Sequence, residues 1–297
     1  MSDLDVVSQI LKIIPDATFE FQQEKCIVAK ITNKSNLFFG CMRNLSDSDK
    51  FKVLKLISCL KNIRHLDLRK NRLNKIVDFD LPELEHLDLA SNYLESIPIW
   101  IKKNNLKFLN LGVNNLINIP DWISNFKELQ VLKIHKNKLR NIDSICSLYK
   151  LEFLNLYLNN IKTIPSFLWN FKNMKFFSWG LSSISSISEE IENWENLEWL
   201  SLVANKISYL PNTICNLKNL KGLRLNKNKI SFLPEEFGKL INLKELSLYK
   251  NNLKVLPNSF DKLKLEKLNI AYNSFSTIPN VKASWLCVSE KDCFWEK

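Results

Sequence analysis

Apolar residues recur along most of this chain in a fixed pattern that is neither a simple helical nor a simple strand period. The unit has leucine at positions one, four and six, asparagine at nine and an apolar residue at eleven. It reads "LEHLDLASNYL" from residue 84 and "LEWLSLVANKI" from residue 197. Ten copies, whose starts lie 21 to 23 residues apart, predict a stack of repeats.

The physics of stacking explains why these residue types recur. One unit cannot bury its own leucines, so neighbouring units must cover Leu66, Leu87 and their successors. The asparagines are expected to form a ladder whose amides satisfy the backbone groups of a turning chain. Seven of the nine prolines fall at one later position, which predicts the first turn of a short helical segment.

This unit resembles that of the leucine-rich-repeat family, in its class of about 23 residues. The second half of the unit, as in "NIPDWISNFKEL", follows the same class with its I/L-P-x-x-I-x-x-L pattern. The resemblance covers residues 63–280. It implies an α/β solenoid, a horseshoe with a parallel concave sheet and short helical or irregular convex segments.

The two ends of the chain do not match the unit and are expected to cover the exposed core. Residues 1–62 are predicted to be an N-terminal cap, with a helix in "SDLDVVSQILKII" capped by Ser2. Strands are predicted in "TFEF" and "CIVAKIT", and a second helix in "SDSDKFKVLKLISCLKN". A separate small module is the alternative interpretation, and residues 281–297 are predicted to be the C-terminal cap.

Strand alternation places positions three, five and seven of each unit on the concave face. Five consecutive units present an apolar residue at position three, a pattern that favours a binding surface. The predicted partner-binding residues are Phe108, Val131, Phe153, Tyr157, Leu158, Phe176, Leu181 and Trp199, with Asn110 and Asn155 as a polar rim. The alternative is that the large side chains only pack on their neighbours in the column.

Lysine recurs at positions eight and ten, along one edge of the predicted sheet. Together with the net charge of +11, this basic edge favours an acidic partner. The predicted residues are Lys136, Lys138, Lys206, Lys227, Lys229 and Lys250. The alternative is that these lysines are only solvent-exposed residues, since lysine is common beside the ladder asparagine in this family.

The sequence offers no catalytic constellation. His65, Asp67, His86 and Asp88 adjoin on neighbouring strands in a metal-like arrangement, but these are common filler residues, and we expect no metal and no cofactor. We therefore expect no enzyme but a protein-protein interaction module. The alternatives are a recognition subunit or translocated effector that targets an enzyme on another chain, and a less favoured basic nucleic-acid binder.

Seven scattered cysteines, an acidic N-terminus and the lack of a long apolar run indicate a cytoplasmic protein. We expect seven free thiols, a monomer and no membrane association. Export as an effector stays open.

The unit "MKFFSWGLSSI" from residue 174 departs from its neighbours. Phe177 and Trp179 are predicted core residues, and Ser182, in place of asparagine, predicts a looser turn. The hypothesis is that this irregularity shapes the binding site; the alternative is a merely degenerate repeat. Outside the sheet, Trp100, Trp122 and Phe167 share one position, which indicates packing or self-association.

Overall fold

The computed structural model describes residues 2–31, 40–277, 279, 281 and 283–287. The chain divides into two compact units, residues 1–150 (unit 1) and 151–297 (unit 2). Each unit contains a run of strands that are hydrogen-bonded in chain order.

Unit 1 begins with the predicted helix, two strands and second helix. The Ser2 hydroxyl accepts a hydrogen bond from the Asp5 N–H and the Asp5 carboxylate accepts from the Ser2 N–H, a reciprocal cap that starts the first helix. The Ser46 hydroxyl caps the second helix by accepting a hydrogen bond from the Asp49 N–H at 3.1 Å, without the reciprocal backbone bond. The bounds are α1 Asp3–Ile13, β1 Thr18–Gln22, β2 Lys25–Lys30 and α2 Asp47–Ile57. All four predicted elements are confirmed.

Four repeat strands follow in unit 1, each parallel to the one before it. They are β3 His65–Asp67, β4 His86–Asp88, β5 Phe108–Asn110 and β6 Val131–Lys133. Strand β2 pairs in parallel with β3, so the N-terminal segment begins the sheet. The 3-10 helices between strands are Ile99–Lys103, Asp121–Asn125 and Asp143–Ile145.

Unit 2 repeats this arrangement. Its strands are β7 Phe153–Asn155, β8 Phe176–Ser178, β9 Trp199–Ser201, β10 Gly222–Arg224, β11 Glu245–Ser247, β12 Leu265–Asn269 and β13 Ala283–Cys287. Its 3-10 helices are Ser166–Asn170, Glu189–Asn193, Asn212–Asn216, Phe237–Lys239 and Asn258–Lys262. Strand β13, parallel to β12, comes from the predicted C-terminal cap. Residues 288–297 of that cap lie outside the described residues.

Five of the seven recurrent prolines directly precede a short helix, close to the predicted place. Pro98, Pro120 and Pro165, for example, are N-cap residues in extended conformation. Ser188 replaces proline in the irregular repeat, and its hydroxyl accepts a hydrogen bond from the Glu190 N–H at 3.3 Å. In this repeat a side-chain hydrogen bond therefore starts the short helix, where other repeats have proline with its restricted backbone.

The asparagine ladder is present and joins consecutive turns. Asn205 shows the pattern, since its Nδ2 donates to the carbonyl of Trp179 at 2.8 Å and to that of Leu202 at 3.1 Å. Its Oδ1 accepts from the N–H groups of Ser182 and Ile184. Because each amide bonds both its own turn and the preceding one, the ladder fixes the register of the stack.

The irregular repeat is looser at the turn, as predicted. Phe177 and Trp179 are fully buried in the core of unit 2. The Ser182 hydroxyl donates to the Gly180 carbonyl of its own turn, at 3.2 Å. Among the described residues it bonds no carbonyl of the preceding repeat, because a hydroxymethyl group is too short to span the gap.

The cysteines require one correction. Cys287 is disulfide-bonded, so the expectation of seven free thiols is wrong. Pairing depends on which residues meet at the end of the stack, and spacing in the sequence does not reveal this. Cys26, Cys41, Cys59, Cys146 and Cys215 are free.

Two further expectations concern the outer surface. Trp100 packs on Phe79 with ring centroids 4.8 Å apart, while Trp122 and Phe167 pack on aromatic rings of their own turns. Packing between neighbouring outer segments is thus confirmed for Trp100, while the ring contacts of Trp122 and Phe167 lie within their own segments. In the part of the chain that the structure describes, no helix is long and apolar enough to cross a bilayer.

Candidate protein-binding surface

We call the side of each sheet that carries positions three, five and seven the strand face. In unit 2 its centre is a column of aromatic rings. Phe153 and Phe176 are stacked with centroids 4.0 Å apart and planes 3° apart, and Trp199 follows on the next strand. All three side chains are partly exposed. The sequence prediction that these residues share one column is confirmed.

The column ends in a charged group beyond Trp199. The Trp199 ring leans over Gly222, where a Cβ would overlap it. The Arg224 guanidinium lies 5.1 Å from the ring centroid, a cation–π arrangement. Arg224 also pairs with Glu245 at 3.7 Å, and Glu245 pairs with Lys267. Gly222 therefore provides the space that lets an indole lie against the sheet.

A second row at position seven contributes Tyr157 to the same surface. A Cβ at Gly180 would lie 2.7 Å from the Tyr157 ring, so this ring too covers a glycine of the next strand. Leu158 and Leu181, at the end of the strands, are exposed and have a left-handed backbone, with φ of 57° and 55°. The predicted apolar residues of unit 2 thus lie in two rows, with the polar side chains of Asn155, Ser178 and Ser201 at the position between them.

The polar rim predicted at position five is less exposed than expected. Asn110 is buried, and its Oδ1 accepts from the Gly112 N–H at 3.1 Å. Asn155 makes the equivalent bond to the Tyr157 N–H. Short polar side chains here satisfy the backbone two residues further on, so they shape the ends of the strands.

Unit 1 presents a different strand face, built on stacked imidazoles. The rings of His65 and His86 are 4.2 Å apart, and Phe108 continues the stack at 5.9 Å. The Lys133 Nζ lies 5.3 Å from the Phe108 ring. Val131 is partly exposed beside it. These residues form the column that the sequence predicts, but it combines two histidines with a phenylalanine and a valine, whereas the column of unit 2 is aromatic.

The histidines adjoin two carboxylates, as predicted. Asp67 is held by Arg69, with Nη2 to Oδ2 2.7 Å apart. Burial raises the pKa of Asp67, and burial together with His65 lowers the pKa of His86. No group of three or more metal-ligating side chains that could hold an ion occurs among the described residues.

The two edges of the sheets differ in charge pairing. At the strand starts, lysine and glutamate of successive repeats pair, as in Glu85–Lys107 and Glu198–Lys221, both at 2.8 Å. At the strand ends, the predicted basic edge is exposed, and its lysines make no ion pair with any described residue. Those lysines are Lys136, Lys138, Lys206, Lys227, Lys229 and Lys250.

Sequence reasoning missed one group of exposed residues. Tyr209, Phe232 and Val255 lie in three successive repeats of unit 2, each two residues before the recurrent proline. The signal was present as an apolar residue at an otherwise polar position of the unit.

The comparisons with known proteins agree with this architecture. A leucine-rich repeat region is matched over residues 162–269 and a leucine-rich repeat over residues 83–104. A solved leucine-rich-repeat protein of Leptospira interrogans is 30% identical, with a TM-score of 0.68, over 80% of this chain and 70% of that one. Among the curated proteins, none matches the sequence.

Two further solved structures are similar. The plant peptide hormone receptor RGFR1, in complex with RGF2, is 28% identical with a TM-score of 0.64, over 79% of this chain and 41% of that one. An internalin (inlF) of Listeria monocytogenes shares the fold, at 19% identity and a TM-score of 0.66, over 96% and 94% of the two chains.

The chain belongs to the leucine-rich-repeat family, and its fold is the predicted α/β solenoid class. This fold is in general a scaffold for protein-protein interaction rather than for catalysis.

Proposed function

We propose that the chain is a non-enzymatic interaction module that binds a partner protein on the strand face of unit 2. The observation that carries the proposal is the aromatic column of Phe153, Phe176 and Trp199, three large rings left partly exposed on successive strands. Aromatic residues in such patches supply most of the binding energy at protein interfaces. Tyr157, Leu158 and Leu181 extend the same surface.

The glycines beneath the rings support this proposal. Gly180 and Gly222 leave room for Tyr157 and Trp199 to lie against the sheet. Rings held in this way lose little rotamer freedom when a partner binds, which favours affinity. In unit 1, Phe108 and Val131 offer a smaller contact of the same kind.

We also propose that the partner carries an acidic rim. The lysines of the basic edge are exposed and make no ion pair with any described residue, so they are available to carboxylates. Charged rims act mainly on the rate of association. Raising the ionic strength should therefore slow association more than it speeds dissociation.

We keep the cytoplasm as the proposed location and a monomer as the proposed state. Five free thiols support a reducing compartment, and the disulfide of Cys287 is the observation that opposes it. Alkylation and mass measurement of the denatured, unreduced protein from its native cells decide between the two.

Partner capture tests the proposed surface directly. Proteins retained by the wild-type chain and lost by a Phe153→Ala/Trp199→Ala double variant are identified by mass spectrometry. The purified partner is then titrated calorimetrically. Removing one central aromatic anchor costs about 2 kcal/mol or more, or about 30-fold, so removing two should weaken binding by about 700-fold if their effects add.

The matched control is Ile241→Ala, which truncates a more exposed side chain away from the strand face. It should leave partner binding unchanged. Melting temperatures of all variants should stay close to that of the wild type, because exposed truncations change stability by only about 0.5 kcal/mol. A double variant that binds its partner normally would exclude this surface.

A further inference from the structure

The residues that follow each strand of unit 2 form a second surface, which we call the turn face. It consists of positions eight, ten, twelve and thirteen of the six repeats that begin at residues 151 to 265. All of these residues are exposed except Ala204, which is partly exposed. Backbone bonds from Lys229 to Ile207 and from Asn252 to Ile230, both 2.8 Å, hold successive turns in register.

Large apolar side chains concentrate on this turn face. Val255, Phe232 and Tyr209 are 68%, 56% and 46% exposed and occupy the same position in three successive repeats. The other members are Leu158, Leu181 and Tyr272. Of the large apolar residues of unit 2 that are described as exposed, only Ile241 lies elsewhere. Their concentration on one face is not the scatter expected of a solvated surface.

The charged residues of the turn face are all lysines. They are Lys162, Lys206, Lys227, Lys229, Lys250 and Lys254. Each is exposed, and none is in an ion pair with a described residue. No aspartate or glutamate occupies any of the positions that define this face.

The carboxylates of the same repeats are segregated to other faces. Glu198 and Glu266 pair with lysines at the strand starts, and Glu245 lies on the strand face. Of the others, Glu189 begins a 3-10 helix and Glu235 lies two residues before one. The turn face is therefore a basic surface with protruding apolar side chains, and its charge is not neutralised locally.

We propose that the turn face docks unit 2 onto an anionic phospholipid surface. In this arrangement Tyr209, Phe232 and Val255 enter the interfacial region between headgroups, while the lysines contact lipid phosphates and carboxylates. Aromatic and aliphatic residues beside lysines are the composition of peripheral membrane surfaces. Lysine also suits such a boundary because its stem is apolar and its charge stays in water.

For the apolar members Tyr209, Phe232 and Val255, a lipid surface fits better than a folded protein does. Protein interfaces seat their anchors in complementary pockets with hydrogen-bonding neighbours. Here the apolar side chains protrude singly from different turns, and their neutral polar neighbours are short side chains of serine, threonine and asparagine. A fluid interface needs no matching pockets. Docking of this kind needs no membrane-spanning segment, so it differs from the expectation of no membrane association.

Vesicle co-sedimentation of the full chain tests the proposal. The probes are vesicles of phosphatidylcholine alone and of phosphatidylcholine with about 30% phosphatidylserine. We expect at least about tenfold stronger partitioning onto the anionic vesicles, reduced by raising the salt concentration. A Phe232→Ser/Val255→Ser variant should lose about tenfold of that partitioning, because its apolar contacts are removed.

Two controls separate the turn face from net charge and from general apolarity. Ile241→Ser removes a side chain that is 62% exposed but lies off the turn face, and it should leave partitioning unchanged. Lys206→Glu/Lys229→Glu should abolish partitioning. Lys218→Glu/Lys262→Glu, with the same change in net charge elsewhere on unit 2, should reduce it only slightly.

Three results would overturn the proposal. The first is no preference for anionic vesicles. The second is equal loss in the two lysine-pair variants, which would assign binding to net charge. The third is tight binding to poly-glutamate without binding to vesicles, which would assign the face to an acidic polypeptide. The aromatic column of Phe153, Phe176 and Trp199 is not part of the turn face, so Phe153→Ala/Trp199→Ala should leave vesicle binding intact. The two proposed surfaces do share the residues at the strand ends, which are Leu158, Leu181, Lys206, Lys227, Lys229 and Lys250.

Discussion

The repeats that begin at residues 174 and 197 are neighbours in unit 2, and they differ at the turn rather than at the strand. Strand β8 of the first repeat pairs with both its neighbours in regular parallel register. At the turn, Ser182 replaces the ladder asparagine and makes one local bond, whereas Asn205 of the next repeat makes four. The strand thus keeps its geometry while the turn varies.

The difference extends to the backbone. Ser183 has φ of 65°, while Lys206 at the same position of the next repeat is not left-handed. Lys206 donates to the Ile184 carbonyl of the preceding repeat at 2.7 Å. Among the described residues, Ser183 makes no such bond. Arg72 in the first repeat shares the left-handed conformation, with φ of 55°. In its backbone conformation, the turn at Ser182 and Ser183 therefore resembles the turn of the first repeat rather than that of the repeat after it.

The largest effect is expected in the core of the irregular repeat. Trp179 is fully buried where regular repeats have leucine, so Trp179→Ala should cost about 3–5 kcal/mol of unfolding free energy, measured by urea denaturation. Trp179→Phe should cost much less. The Trp179 Nε1 is buried without a hydrogen-bond partner, so removing it leaves no acceptor unsatisfied. Equal losses for both variants would contradict this account.

The next effect tests the regular ladder. Asn205→Ser gives the repeat from residue 197 the same serine that the irregular repeat has at Ser182. It should lower the unfolding free energy by about 1–3 kcal/mol. The reason is that the carbonyl of Trp179 and the N–H of Ile184 lose their buried partner. Asn252→Ser, at an exposed position beside the ladder, is the control and should change stability by less than about 0.5 kcal/mol.

The sequence was informative wherever one residue type has one physical role. Leucine spacing predicts the strands and the core, and Ser182 predicts the looser turn, because a hydroxyl cannot reach as far as an amide. The alternation of side chains along a strand predicts that Asn110 lies on the strand face. It does not predict that neighbouring residues bury Asn110 there. The left-handed backbone of Ser183 was not predicted from the sequence. The Cys287 disulfide was not predicted, because pairing requires two cysteines to come close in the folded chain and their spacing in the sequence does not show this.

Restoring the ladder should repair the irregular turn. Ser182→Asn places an amide where the neighbouring repeats have one, within reach of the Leu156 carbonyl. It should raise the unfolding free energy by about 1 kcal/mol, the usual net value of a buried hydrogen bond. Ser182→Ala serves as the control, because it removes the bond to Gly180 without offering a new one. A loss of stability in Ser182→Asn would show that the turn has no room for the amide.

The smallest effect concerns the backbone of Ser183. Glycine should change the unfolding free energy in opposite directions at residues 183 and 206. Ser183→Gly should stabilise by about 0.5 kcal/mol, because glycine adopts the left-handed region without the steric cost of a side chain. Lys206→Gly, at the same position of the regular repeat, should destabilise by about 0.5–1 kcal/mol, since glycine there only adds freedom to the unfolded chain.

If the lost ladder bond is what turns Ser183 left-handed, Ser182→Asn should restore an ordinary backbone at residue 183. Ser183→Gly would then destabilise in the Ser182→Asn background although it stabilises in the wild type. A double-mutant cycle measured by urea denaturation gives this coupling directly. Additive effects, with the same sign in both backgrounds, would mean that the left-handed conformation of Ser183 has a cause other than the missing asparagine.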